Sequence, residues 1–258
     1  MTKRIMFFIY GTVCYLFFLG IFLYAVGFLG NVGVPTTIDG TPQISFGLAL
    51  TINVLLLGIF AIQHSVMARQ GFKRWWTRYV PQPIERSTYV LFTNIALALL
   101  FYAWQPMGGE IWAIQHALGQ SLLYGLFAIG WGIVFVATLM INHFDLFGMR
   151  QVWLYFRKQE YRPLKFKTPA LYQHVRHPLY VGWLLVFWAT PTMTSAHLAF
   201  ALITTIYILM AIQWEEKDLV DAHGKAYEEY RRKVPMLIPQ LFKKALRNQE
   251  SQSLRMSA

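Results

Sequence analysis

The chain has 258 residues, of which 56% are hydrophobic and only 14% charged, and its mean hydropathy is +0.39. This composition excludes an ordinary soluble domain and indicates an integral membrane protein with several spans. The net charge of +11 would suit a nucleic-acid-binding protein. However, the positive side chains are confined to a few connections between apolar stretches, so we expect no nucleic-acid partner.

Four long apolar stretches are predicted to be membrane-spanning helices. They cover residues 5–29, 46–67, 88–104 and 118–141. Because a helix needs about 20 residues to cross the hydrocarbon core, the third stretch is short and the other three are long enough. The single cysteine, Cys14, lies inside the first stretch, which rules out a disulfide framework and a cysteine metal site.

An apolar hairpin is predicted near the C-terminus. Its two apolar runs, residues 179–193 and 197–214, meet at a short polar turn that follows Pro191, which favours antiparallel helices. The runs are shorter than or close to a full crossing, so the sequence leaves open whether they span the membrane. The predicted fold class is therefore all-α, with four spanning helices plus a C-terminal helical hairpin. It forms a single integral-membrane domain over residues 1–239, followed by a flexible basic tail over residues 240–258.

The distribution of positive charge predicts the orientation. If the six apolar segments alternate in direction, all 23 Lys and Arg residues fall at one membrane surface and none at the other. The positive surface comprises residues 1–4, 68–87, 142–178 and 215–258. By the positive-inside rule this surface and both termini are cytoplasmic. Orientation and contact with the lipid bilayer account for most of the charge.

Four polar clusters are predicted to meet at this cytoplasmic surface. They are His64 at the end of the second span, residues 142–150 after the fourth, residues 174–180 before the hairpin and Glu215 with Glu216 at its end. His64 could line a cavity or be a hydrogen-bonded structural histidine, and residues 142–150 could equally be a site or a scaffold. The histidines lack the helical spacing of zinc ligands, so we expect no metal site.

These clusters suit a zwitterionic cofactor and an apolar acceptor. Arg176 and His177 can hold a carboxylate, and Glu215 or Glu216 can bind an ammonium group or ribose hydroxyls. Aromatic rings can stabilise an onium centre.

Several motifs carry a resemblance to a known superfamily. The patterns R-H-P-x-Y-x-G at residues 176–182, E-E at 215–216 and G-x-x-Y-x-x-Y-x-x-x-V-P at 224–235 resemble the integral-membrane methyltransferases related to isoprenylcysteine carboxyl methyltransferase and the phospholipid methyltransferases. The segments Q-H-S-V-M-A-R at 63–69, E-R-S-T-Y at 85–89 and N-H-F-D-L-F-G at 142–148 are similar to the NnrU-like branch and, more narrowly, to the bacterial methanethiol S-methyltransferase family. Residues 207–214 lack the substrate arginine of the isoprenylcysteine enzymes, which argues against a prenylcysteine acceptor.

The resemblance implies a methyltransferase domain that uses S-adenosyl-L-methionine. The residues predicted to bind this cofactor are Tyr172, His174, Val175, Arg176, His177, Pro178, Leu179, Tyr180, Glu215 and Glu216. A thiol reacts as its thiolate, so a base is needed, for which His143 and Asp145 are the first candidates and His64 the third.

The predicted function is methyl transfer to a small thiol, methanethiol to dimethyl sulfide, at a cytoplasm-facing pocket in the bacterial inner membrane. Two alternatives remain from the sequence. They are N-methylation of a phospholipid amine, and a non-enzymatic membrane carrier. The sequence does not predict an oligomeric state.

Overall fold

The computed structural model describes residues 1–164 and 166–239, and the predicted tail, residues 240–258, lies outside the described residues. Within the described part, five helices are long and apolar enough to cross a membrane. They are α1 (Thr2–Gly30), α2 (Phe46–Ala68), α4 (Gln82–Ala103), α5 (Ala117–Ile141) and α9 (Ser195–His223). The prediction of a helical polytopic membrane protein is confirmed.

Shorter elements connect these helices. They are α3 (Gln70–Trp76), α6 (His143–Leu146), α7 (Met149–Phe156), a 3₁₀ turn (Ala170–Gln173), α8 (Pro178–Trp188), α10 (Lys225–Lys233) and the strands β1 (Glu110–Ala113) and β2 (Thr192–Thr194). The two strands pair antiparallel, with Glu110 opposite Thr194. Hydropathy did not predict this pair, because three or four paired residues at the ends of apolar runs leave no periodic signal.

The hairpin differs from its prediction in the lengths of both arms. The second arm is α9, whose 29 residues continue as helix past the glutamates to Gly224, where φ is +56°. The first arm, α8, has only 11 residues. At 1.5 Å per residue it is about 16 Å long, roughly half of the hydrocarbon core. Residues 189–194 continue without helix, and Ala189 and Thr190 are buried, as non-helical backbone at membrane depth must be.

Helix α4 begins six residues earlier than the apolar stretch that predicted it. Residues 82–87 are mostly polar, so hydropathy excludes them, yet Pro83 lies in the first turn of the helix and Ser87 is fully buried. Gly148, with φ +87°, packs against Ser87 so closely that a Cβ would lie 2.7 Å from the Ser87 backbone nitrogen. The absence of a side chain at Gly148 thus lets the loop between α6 and α7 lie on α4.

Close backbone approach also joins α5 to α8. A Cβ on Gly182 would lie 2.8 Å from the carbonyl oxygen of Gly130 and from the backbone nitrogen of Val134. In a membrane, helices associate through such small-residue contacts and through hydrogen bonds, since lipid removes the hydrophobic drive between them. The glycine of the R-H-P-x-Y-x-G pattern therefore has a packing role, which fixes the position of α8.

The two ends of the bundle differ in chemistry. At the end that carries β1 and β2, which we call the strand end, Asp39 of the first loop accepts a hydrogen bond from Thr194. At the opposite end, which we call the site end, the start of α1 packs on α7, with the rings of Phe8 and Phe156 stacked 5.3 Å apart. The base of α8 also meets the C-terminal part of α9 there, which brings together the predicted clusters at residues 174–180 and 215–216.

Candidate active site

A buried cluster of charges joins the two arms of the hairpin at the site end. The Arg176 Nε donates to Glu216 Oε1 at 2.7 Å, and the His177 Nε2 donates to the same oxygen at 3.0 Å. All three side chains are largely buried, with 11%, 4% and 8% of their surface exposed for Arg176, His177 and Glu216. Because a charge taken out of water needs a charged or hydrogen-bonding partner, each of these residues requires the others.

The chain after α10 is tied to this cluster by backbone and side-chain hydrogen bonds. The Arg176 backbone donates to Pro235 O at 2.8 Å, and the His177 backbone donates to Met236 O at 3.2 Å. The Arg176 guanidinium also donates to Val234 O at 2.6 Å. The V-P pattern at 234–235 therefore closes the site end by binding the R-H pattern.

Glu215 faces a different direction from its neighbour. Successive residues on a helix point about 100° apart, and the Glu215 side chain is 46% exposed. Its Oε2 lies 3.7 Å from His177 Nδ1. Burial, and then the charge of Glu215, raise the pKa of Tyr172 and of Tyr180. Both phenols therefore stay protonated beside a carboxylate that remains accessible to a ligand.

Two tyrosine hydroxyls near these glutamates have no protein partner among the residues that the structure describes. They belong to Tyr172 and Tyr227, and both oxygens are buried. Burial, and then the neighbouring Glu216, raise the pKa of Tyr227. Buried polar atoms in proteins are nearly always hydrogen-bonded, so an unpartnered pair beside an accessible carboxylate is a feature typical of a ligand site.

The remaining predicted cofactor-binding residues have varied surroundings. His174 is exposed, Leu179 is half-buried, and Val175 and Pro178 are buried. Pro178 is the first residue of α8 and suits that position because it lacks a backbone N–H. The structure thus leaves Glu215 partly exposed and Tyr172 and Tyr180 half-buried, with the Arg176 and Glu216 charges directed at each other.

His143 lies in an aromatic cage away from this cluster. The Tyr15 hydroxyl is 2.9 Å from its Nε2, and the Thr138 hydroxyl is 2.9 Å from its Nδ1. The Thr138 hydroxyl donates to Phe135 O, so it accepts from Nδ1, and Nε2 accepts from Tyr15. Burial lowers the pKa of His143, and both ring nitrogens are engaged in holding α1 to α5.

Asp145 is similarly engaged within its own loop. Its Oδ1 accepts from Arg150 Nη1 at 2.8 Å, and its backbone N–H donates to the Asn142 side chain, which caps α6. The Tyr161 hydroxyl reaches Oδ2 at 3.4 Å. The sequence left residues 142–150 open between site and scaffold, and these contacts favour a scaffold.

His64 lies at a junction of α2, α4 and α9. The Tyr89 hydroxyl is 3.0 Å from its Nδ1 and 3.1 Å from its Nε2, and Thr93 Oγ1 is 3.3 Å from Nδ1. Because the Thr93 hydroxyl donates to Tyr89 O, its oxygen accepts from Nδ1. Nε2 then accepts from the Tyr89 hydroxyl, so both ring nitrogens of His64 have hydrogen-bonding partners on α4.

The α2 end that carries His64 is held directly beside the glutamates. Arg69 Nη1 lies 3.1 Å from Asp218 Oδ2, and the Arg69 guanidinium lies 5.9 Å from the Trp214 ring centroid. Trp214 and Asp218 flank Glu215 and Glu216 in the chain. These contacts hold the end of α2 against the residues that flank the glutamates, whereas His143 and Asp145 lie on the α1, α5 and α7 side.

The sequence analysis assigned no role to several residues at the site end. Tyr89 ends the E-R-S-T-Y segment and Tyr227 belongs to the G-x-x-Y pattern, so both were present in the motifs without an assigned role. Tyr207 left only a weak signal, a phenol inside an apolar run.

Comparisons with known proteins give a consistent set of relatives. The chain is 63% identical to the methanethiol S-methyltransferase of Crocosphaera subtropica, over 92% of this chain and 93% of that protein. It is 52% identical to the methanethiol S-methyltransferase of Mycobacterium tuberculosis, over 92% of this chain and 97% of that one. It is also 32% identical to nurim of Rattus norvegicus, over 66% of this chain and 68% of that protein. No family model and no solved structure matches the chain.

Proposed function

The chain belongs to the methanethiol S-methyltransferase family, and from this premise we propose that it methylates methanethiol to dimethyl sulfide with S-adenosyl-L-methionine as methyl donor. The observation that carries the proposal is the accessible Glu215 carboxylate, whose Oε2 lies 3.7 Å from His177 Nδ1, together with the buried Tyr172 hydroxyl, which has no partner within the described residues. Glu215 and the Tyr172 hydroxyl suit a polar cofactor, and His64 suits a thiol and its proton.

The residues at the site end fit this cofactor. Its amine and ribose hydroxyls need acceptors and donors, which Glu215 and the hydroxyls of Tyr172 and Tyr227 can provide. The His177 ring lies 3.7 Å from Glu215 Oε2 through its Nδ1, and the Tyr180 ring lies 5.6 Å from the His177 ring. When bound, S-adenosyl-L-methionine supplies an electrophilic methyl group on a sulfonium centre.

The protein contributes proton removal and orientation. We assign the base to His64, because it lies near the end of α2, where Arg69 contacts Trp214 and Asp218 on either side of Glu215 in the chain. His64 would take the proton of the thiol, and the site would hold the acceptor sulfur in line with the methyl group that the bound cofactor supplies. Holding the reacting atoms together is itself a large catalytic effect that needs no covalent enzyme intermediate.

Arg176 and Glu216 have a positioning role in this proposal. Their charges satisfy each other and tie residues 234–236 to the base of α8. They thereby hold His177 and Tyr180 in place.

We further propose that the site end faces the cytoplasm of a bacterial inner membrane, with both termini on that side. The support is that residues 30–45, 105–117 and 189–194, the connections at the strand end, contain no Lys or Arg. A donor cofactor made in the cytosol would reach this end directly.

The test uses membranes from a host that lacks the activity, incubated with methyl-labelled S-adenosyl-L-methionine and methanethiol. Label should appear in headspace dimethyl sulfide above the level of empty-vector membranes. Label in phosphatidylethanolamine derivatives of the lipid extract, with none in the headspace, would instead support a lipid amine as acceptor and overturn the proposal.

A further inference from the structure

Helix α9 presents two different faces at the level of Glu215. Tyr207, Trp214 and Asp218 are spaced by seven and four residues, so they form one stripe. This stripe faces α2, since Tyr207 Oη lies 2.9 Å from Ser65 Oγ and Arg69 contacts Trp214 and Asp218. Glu216 points to the opposite side, toward α8, and Glu215 lies between the two faces.

The stripe continues into an aromatic wall around His64. The Phe60 ring stacks on the His64 ring at 5.4 Å and meets the Tyr207 ring edge to face at 6.2 Å. Tyr207, Phe60 and His64 are each only half-buried, although they lie on membrane helices. Their rings and hydroxyls are therefore partly accessible along the contact between α2 and α9.

The side chains along the contact between α2 and α9 suit a small neutral thiol. Thiol sulfur packs favourably on aromatic ring edges, and the Tyr207 and Ser65 hydroxyls can donate to a thiolate. The nearest cation on α2, Arg69, is paired with Asp218, so an acceptor carboxylate would find that guanidinium engaged.

We propose that the acceptor thiol binds between α2 and α9 in a subsite bounded by Phe60, Ser65 and Tyr207, with Phe60 limiting the size of the acceptor and Tyr207 positioning its sulfur. The inference rests on the proposed function, since it names the residues that hold that reaction's acceptor. The proposed cofactor residues Tyr172 and Tyr180 belong to the 3₁₀ turn before α8 and to α8 itself, the other arm of the hairpin.

The experiment compares purified wild type with Phe60→Ala and Tyr207→Phe, using methanethiol and the larger ethanethiol. Phe60→Ala should raise the ratio of kcat/KM for ethanethiol to that for methanethiol about tenfold, as one methylene in an apolar pocket typically does. Tyr207→Phe should raise the KM for methanethiol about three- to tenfold, the effect of one neutral hydrogen bond. Affinity for S-adenosylhomocysteine should stay within twofold of wild type for both variants.

The control is Ile62→Ala on the same helix, whose side chain is 66% exposed toward lipid and should leave all constants unchanged. An active wild type whose Phe60→Ala and Tyr207→Phe variants keep the wild-type thiol selectivity and KM would overturn the subsite alone. Equal loss of S-adenosylhomocysteine affinity in both variants would also overturn it, because the residues would then act on the cofactor or the fold. A wild type that makes no dimethyl sulfide would contradict the proposed function itself.

Discussion

Adjacent glutamates on one helix should have separable roles. In Glu216→Gln, the amide oxygen can still accept one hydrogen bond, but the charge that faces Arg176 Nε at 2.7 Å and His177 Nε2 at 3.0 Å is lost. Losing charge-assisted hydrogen bonds to a buried cation costs about 1.5 to 3 kcal/mol. For a domain of this size that lowers the melting temperature by about 3 to 12 °C, at roughly 2 to 4 °C per kcal/mol.

Glu215→Gln is the matched variant, one residue away. Its carboxylate is 46% exposed and makes no salt bridge to a Lys or Arg within the described residues, so the melting temperature should change by less than about 2 °C. Loss of one charge-assisted contact to the cofactor should weaken S-adenosylhomocysteine binding by about tenfold, the lower end of the range because of that exposure.

Both variants would be measured in the same detergent, by a thermal melt at fixed scan rate and by calorimetric titration with S-adenosylhomocysteine. The reasoning would be refuted if Glu216→Gln kept the wild-type melting temperature but lost the ligand, while Glu215→Gln bound as tightly as wild type. That result would exchange the two roles.

Three further predictions concern the histidines and the helix packing. His64→Gln should lower kcat/KM for methanethiol by about 100-fold or more at unchanged S-adenosylhomocysteine affinity, measured by headspace assay; a loss below about threefold would exclude His64 as the base. Because burial lowers the pKa of His143, the unfolded chain binds a proton near pH 6.5 that the folded protein takes up only at lower pH. Stability should therefore fall as the pH decreases from about 7.5 to 5.5, and His143→Gln should remove that part of the dependence; identical slopes in melts of both proteins would contradict this. Gly182→Ala should destabilise by about 1 to 3 kcal/mol, since its Cβ would meet backbone atoms of α5 at 2.8 Å, whereas Gly132→Ala, with open space around it, should melt like wild type.

The spans and their shared polar surface could be predicted from the sequence because hydropathy and charge asymmetry are additive, local quantities. The limits of α4 and α9 could not, since both helices extend beyond the apolar residues that hydropathy counts. In α9, residues 215–223 are mostly polar and remain helical. Contacts of Glu216 with Arg176 and of Asp218 with Arg69 hold this part of the helix. The antiparallel pairing of β1 with β2 joins residues about 80 positions apart and leaves no local pattern.

The motifs identified the residues of the site but could not distinguish their roles. Which glutamate faces Arg176 depends on the rotation of α9 against α8, and this is set by packing along the whole helix. His143 appeared to be the stronger base because it lies beside Asp145 in a dense polar segment. Its aromatic cage, built from α1 and α5, becomes visible only in three dimensions, as does the contact of Arg69 with Trp214 that joins the end of α2 to α9.

The central claim is that this chain transfers a methyl group to methanethiol at the Glu215 site. The most direct measurement is mass spectrometry of the headspace over purified protein supplied with methanethiol and S-adenosyl-L-methionine carrying a trideuterated methyl group. The account predicts dimethyl sulfide with a mass higher by about three units, at a rate that falls at least about tenfold in Glu215→Gln at subsaturating donor. Folded wild-type protein that binds S-adenosylhomocysteine yet releases no deuterated dimethyl sulfide, or a Glu215→Gln variant as active as wild type under these conditions, would contradict it.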